Sequence, residues 1–124
     1  MSEGGLAVAL VESAVLAPEL FGCDVDLTPL GDGQAPAALL FAEDHGRAVV
    51  SAARADAAAV LALARRYGVP AHPVGAVTGP SGAVRIAAGS GRVDLPSAAL
   101  RRTYESAIPR RLDGAGGTLL AREV

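Results

Sequence analysis

Residues 6–17, LAVALVESAVLA, constrain this chain more than any other stretch, because only Glu12 and Ser13 interrupt an apolar run that Pro18 closes. A helix with almost no polar face must be covered on most sides by other elements. Gly4 and Gly5 open it, with Ser2 and Glu3 ahead as a cap and a favourable charge at the positive end of the helix dipole. The run is well short of the roughly 20 residues that a membrane span needs, so it reads as a buried helix and no membrane association is expected.

The rest of the composition is compatible with such a core. Of 124 residues 51% are hydrophobic and 19% charged, which is the balance of a folded domain rather than of disorder. Aromatic residues number only four (Phe21, Phe41, Tyr67, Tyr104), leaving alanine, valine and leucine to fill the interior and few platforms on which bases could stack. All 11 basic residues are arginine. That suits oxyanion recognition, but in a chain so rich in alanine and glycine it reads more simply as compositional bias. The arginines are scattered and the net charge is −2, so no nucleic-acid partner is expected. Cys23 is the single cysteine and cannot form an internal disulfide, and no secretory leader is evident. A cytoplasmic location follows as the expectation.

After Gly22, CDVDL alternates with the period of a strand, Cys23, Val25 and Leu27 on one face and Asp24 and Asp26 on the other. A Gly/Pro-dense loop, TPLGDGQAP (28–36), follows. Residues 37–42 (AALLFA) and 47–53 (RAVVSAA) read as two strands joined by a short hairpin through Gly46. A helix is predicted from Ala55 to Tyr67, with Val60, Leu63, Ala64 and Tyr67 as its apolar stripe, Asp56 in its first turn, and Arg65 and Arg66 in its last. Gly68 supplies its left-handed cap and Pro70 prevents continuation. Strands at 71–78, 83–88 and 92–94, joined at GPSG and GSG, predict an antiparallel meander. Pro96 suits the first position of a last helix that Pro109 ends. The fold class is therefore α+β, a mostly antiparallel sheet packed by helices, with a domain over 1–109 and a Gly-rich tail or edge strand over 110–124.

Chemistry-bearing motifs are sparse. His45, His72, Cys23 and scattered acids lack the spacing of a metal site, so no metal is expected. No Walker loop, GxGxxG or GxSxG is present. Two features remain. The Gly4–Gly5 pair could present backbone N–H groups to an anion at a helix start, or serve only close packing. The polar knot Glu43, Asp44, His45, Gly46, Arg47 could hold a ligand, or be a solvated turn whose charges neutralise one another.

The order of four separated motifs says more: SEGGLAVALVESA, LLFAEDHGRAVVS, RYGVPAHPVGAVTG and VDLPSAALRRTYESAIPR. Over residues 2 to about 111 they resemble the C-terminal end of phosphoribosylformylglycinamidine synthase, large-subunit or small type, within the aminoimidazole ribonucleotide synthetase-like superfamily. The ending DLPxxxLRxxYExAxPR is the most distinctive part. In that family the first motif follows His-Asp-Val and the second commonly reads LFSES; here Ala42 and Asp44 stand in place of its two serines. The resemblance implies a piece of a C–N ligase of purine biosynthesis that converts a formamide to an amidine with ATP, magnesium and ammonia from glutamine. It implies that Gly4, Gly5, Glu43, Asp44, His45 and Arg47 form one wall of a substrate site, the glycines as backbone donors and Arg47 as anion partner. The family's ATP-binding domain has no counterpart in these 124 residues, so no cofactor is expected on this chain alone and no turnover by itself. A homodimer, or a complex with the missing ATP-binding part, is expected. The alternative is a non-catalytic homo-oligomeric or partner-binding module that keeps the family's core.

Overall fold

In the computed structural model, which describes residues 4–31 and 33–120, Gly4 and Gly5 both adopt positive φ (101° and 77°) and launch α1, Gly5–Val15. Gly5 is required by space as well as by angle: a Cβ there would meet the Phe41 backbone at 2.7 Å. Only Ser13 of α1 is exposed, as the lack of a polar face demands. The expected caps Ser2 and Glu3 lie outside the described residues.

Strand β1, Phe21–Asp26, forms where the alternation placed it, with Cys23, Val25 and the following Leu27 buried. Three more strands complete the sheet: β2 (Gly75–Pro80), β3 (Ala83–Ala88) and β4 (Gly91–Pro96). Their order is β2-β1-β3-β4, β1 running antiparallel to β2 and parallel to β3, and β3 antiparallel to β4. The sheet is thus mostly antiparallel, but the expected three-strand meander is corrected. Consecutive β2 and β3 are not neighbours, because β1 lies between them. Their short connection crosses the start of β1 instead of closing a hairpin: Ser81, at φ 57°, donates its N–H to the Leu20 carbonyl at 2.8 Å. Gly22 makes this crossing possible, since a Cβ there would collide with the Thr78 hydroxyl and approach the Ala83 carbonyl to 2.6 Å.

One face of the sheet carries the core. Val84 and Ile86 of β3 are essentially inaccessible, α1 and α2 (Pro36–Phe41) pack on β3 with Leu6, Leu10, Leu39 and Leu40 in the core, and α4 (Ser97–Leu120) packs on α1 and β4 with Leu100 against it. The opposite face is polar. Arg85 reaches Asp24 at 3.2 Å and Asp94 at 3.4 Å, and Arg92 reaches Asp94 at 3.6 Å. These pairs are half exposed, so each adds little stability.

Three further expectations are corrected. Residues 37–42 are not a strand, for most of them belong to helix α2: Pro36 occupies its first turn, and Ala37, Ala38, Leu39 and Leu40 are good helix formers. With no first strand there is no hairpin, and 47–53 has no ladder partner among the described residues, Val49 and Val50 exposed. Pro109 does not end the last helix; α4 begins at Ser97, after Pro96 has closed β4, and passes through Pro109 to Leu120. A proline there forfeits the hydrogen bond to the Glu105 carbonyl one turn before it, and Glu105 is exposed, so water can take that carbonyl. Residues 110–120 are therefore not an edge strand.

The central helix α3, Ala57–Arg66, is where it was predicted, preceded by a 3-10 turn at Arg54–Asp56 and closed by Gly68 at φ 67°. Its stripe forms but is not buried: Leu63 is 55% and Tyr67 70% exposed, and no residue of α3 is buried.

Candidate functional site

The site is built where α1 begins and α2 ends. Ala42 leaves α2 in extended conformation, ψ 132°, which carries Glu43 to the start of α1. There the Glu43 carboxylate accepts the Gly4 N–H at 2.7 Å. Free N–H groups and the positive end of the dipole favour an anion at such a place, and Glu43 supplies one from within the chain. Beyond it the backbone turns through His45 and Gly46, the glycine at φ 80°. Arg47 then closes on Asp44 at 2.7 Å across the turn.

Of the six site residues inferred from sequence, the structure brings Gly4, Gly5 and Glu43 into one contact. Asp44 and Arg47 form a second, and His45 stands at the solvent-exposed apex between them. The turn is thus exposed, Arg47 balancing Asp44 while the Glu43 charge leaves it acidic. A phosphate approaching the Gly4 amide would meet the Glu43 carboxylate there, and the Arg47 guanidinium would have to be shared with Asp44. His72 precedes β2 in an exposed loop, outside any strand. Among the described residues no three His, Cys, Asp or Glu side chains gather as metal ligands would.

A separate shallow hollow of about 300 Å³ opens on the polar face of the sheet, between Asp24, Asp26, Arg85 and Arg92. Asp26 there accepts the Thr28 N–H at 2.9 Å, and bonding to Thr28 through its side chain and then its backbone holds the carboxyl below the usual range. None of the six site residues lines this hollow.

Two residues that sequence reasoning did not single out fasten α4 to β1 and to the far end of α1. Ser97 is fully buried and donates its hydroxyl to the Phe21 carbonyl at 2.6 Å, fixing the start of α4 on β1. Arg101, one turn on, donates Nε and Nη2 to the Val15 carbonyl at 2.7 and 2.5 Å, and Nη2 also to Ala17. It thereby closes the C-terminal end of α1, where carbonyls lack partners and the dipole favours a cation. The signal was present: both lie in the DLPSAALRR stretch, at helical spacing of four.

A two-layer α+β module with a glycine-led helix start facing an acidic turn is the class that fold and site define. Residues 1–87 match the family model described as AIR synthase related protein, C-terminal domain, and the chain belongs to that family. It is 40% identical over 109 residues to the phosphoribosylformylglycinamidine synthase subunit PurL of Thermobifida fusca (strain YX), covering 88% of this chain and 13% of the relative. With the subunit of the same name from Symbiobacterium thermophilum it shares 39% over 126 residues, 91% of this chain and 16% of the relative. For that of Acidiphilium cryptum (strain JF-5) the values are 41% over 87 residues, 66% and 11%. The chain thus spans about a sixth or less of the length of the curated relatives it matches. No solved structure matched.

Proposed function

We propose that this chain is a C-terminal piece of a phosphoribosylformylglycinamidine synthase, serving purine biosynthesis by forming part of the substrate site of a larger ligase. One observation carries the reading: identity near 40% extends over 88% of the chain, while the relative is several times longer. The reaction needs ATP to phosphorylate the formamide oxygen, so that ammonia drawn from glutamine can displace phosphate and leave the amidine. Oriented cations and donors must stabilise the charge that develops on the transferring phosphoryl group. This chain's share is the wall formed by Gly4, Gly5, Glu43, Asp44, His45 and Arg47. The Gly4 amide serves as backbone donor once Glu43 is displaced, and Arg47 as anion partner. ATP and magnesium belong to the portion of the enzyme outside these 124 residues, and the working assembly is a complex with that portion in the cytoplasm.

The second reading, a non-catalytic partner-binding or homo-oligomeric module, draws on Glu43: a carboxylate already seated on the Gly4 amide makes a stable structural contact that needs no ligand. A pull-down of the tagged chain from its source cell, followed by an ATP- and glutamine-dependent amidine synthesis assay, separates the two. Activity in the captured fraction supports the synthase reading; capture of a partner without that activity defeats it in favour of the module.

A further inference from the structure

The sheet ends on one side at β4, and among the described residues no strand pairs with its outer edge. Which groups that edge offers follows from the ladder. In an antiparallel pair, hydrogen-bonded and non-hydrogen-bonded positions alternate along the strand. Ser97, which continues the register of β4 on β3 one residue past Pro96, donates its N–H to the Gly82 carbonyl at 3.1 Å. Leu95, Val93 and Gly91 therefore bond inward to β3, and the N–H and C=O groups of Arg92 and Asp94 point outward. Pro96 has no N–H to add.

An open edge is a template for another strand, and charged side chains usually guard it by repelling a second copy. Here the two outward residues differ in sign. When β4 pairs antiparallel with β4 of a second copy about a two-fold axis at Val93, Arg92 stands opposite Asp94 of the copy and Asp94 opposite its Arg92. That register engages every outward N–H and C=O of the two residues and sets opposite charges directly across the seam, where they stabilise. Sliding it by two residues (~7 Å) either way sets Arg92 against Arg92 or Asp94 against Asp94, which repel. In the free chain Arg92 and Asp94 meet only at 3.6 Å with well-exposed side chains, a weak pair that is readily exchanged for one across the seam. On the other face Val93, packed against the core, meets its own copy at the axis. Leu95, 45% exposed, comes to lie opposite Gly91 of the copy, so the two cores join. The opposite edge, β2, has no charged residue and carries Gly75, Gly79 and Pro80, which weaken a strand as a template.

We propose that β4 is a self-association edge, through which two copies of this chain pair antiparallel about Val93 into one continuous sheet. The inference stands apart from the synthase reading, because a chain paired in this way can serve either role described above. Two six-residue strands bury less than the ~800 Å² per partner of a standard interface, so the dimer is weak and concentration-dependent.

Sedimentation of the 124-residue chain at low salt should show a monomer–dimer equilibrium with a Kd on the order of 100 μM. The amides of Arg92 and Asp94 should gain protection from hydrogen exchange as concentration rises. Arg92→Asp leaves acids facing acids, and Asp94→Arg leaves arginines facing arginines. Each should keep the circular dichroism of the wild type and self-associate at least tenfold more weakly. Mixed, the two variants should pair with each other, since each supplies the charge that the other needs. A chain that stays monomeric to about 1 mM, dimerisation without protection at those two amides, a dimer that both variants retain, or variants that do not pair when mixed would each overturn the inference and leave the synthase reading intact.

Discussion

Replacing Arg101 by alanine tests the packing of α4 on α1. The guanidinium serves two carbonyls at the end of α1, those of Val15 and Ala17, and Val15 is 1% exposed. A hydrogen bond from a charged donor contributes about 1.5–3 kcal/mol and an orphaned buried carbonyl costs about 1–3 kcal/mol. The cation at the helix end adds at most about 1 kcal/mol. These overlap, and Arg101 is half-buried, so about 3 kcal/mol is the expected total loss. In urea, with a slope of about 1.5 kcal/mol per molar, the midpoint should fall by about 2 M. The melting temperature should fall by roughly 12 °C at about 4 °C per kcal/mol. Arg101→Lys keeps the charge but not the planar fork, and should recover about half of the loss. Arg102→Ala, on the exposed side of the same turn, should stay within about 0.5 kcal/mol of wild type. Unfolding followed by far-ultraviolet circular dichroism measures all three. An Arg101→Ala loss no greater than that of Arg102→Ala would refute the account of how α1 is closed.

Gly5→Ala places a Cβ 2.7 Å from the Phe41 backbone at a φ of 77°, and should cost about 2–4 kcal/mol in the same urea titration. Glu43→Ala should cost at most about 1 kcal/mol, because the contact is exposed. By freeing the Gly4 amide it should also strengthen binding of inorganic phosphate, read by calorimetry; unchanged or weaker binding would remove the glycine pair from the site. Burial pushes the Cys23 thiol up, a backbone hydrogen bond from Arg85 opposes the shift, and the Asp24 charge adds to it. Since the folded value is the higher one, the contribution to stability is complete below the free thiol's value of about 8.5 and is lost as pH rises through the raised value. Stability of the wild-type chain should fall across that alkaline window and that of Cys23→Ala should not, and a thiol reagent at neutral pH should label Cys23 only after unfolding.

Elements with an unambiguous local signal were legible in the sequence. The apolar run of α1, the alternation of β1, and the dipole charges and Gly68 cap of α3 each point to one structure, as does the GSG turn joining β3 to β4. What failed needed tertiary information. AALLFA is too short for periodicity to distinguish helix from buried strand, and Pro36 in its first turn decided for helix. The two-residue connection after Pro80 looked like a hairpin because nothing local shows that Leu20 claims the Ser81 amide. Residues 47–53 were read as a strand from composition, but a strand also requires a neighbour, and this sheet offers none. At the candidate site, spacing placed Asp44 and Arg47 in one turn, whereas the contact of Glu43 with Gly4 bridges 39 positions and emerges only once α2 is packed on α1.

The central claim is that these 124 residues complete a synthase whose energising machinery lies elsewhere. It is tested most directly by assaying ATP- and glutamine-dependent amidine formation in three samples: the chain alone, the Thermobifida fusca subunit deleted of its matched 109 residues, and the two together. Turnover only in the mixture is the predicted result. Turnover by the chain alone, or a silent mixture that the subunit's own excised segment revives, would contradict the claim.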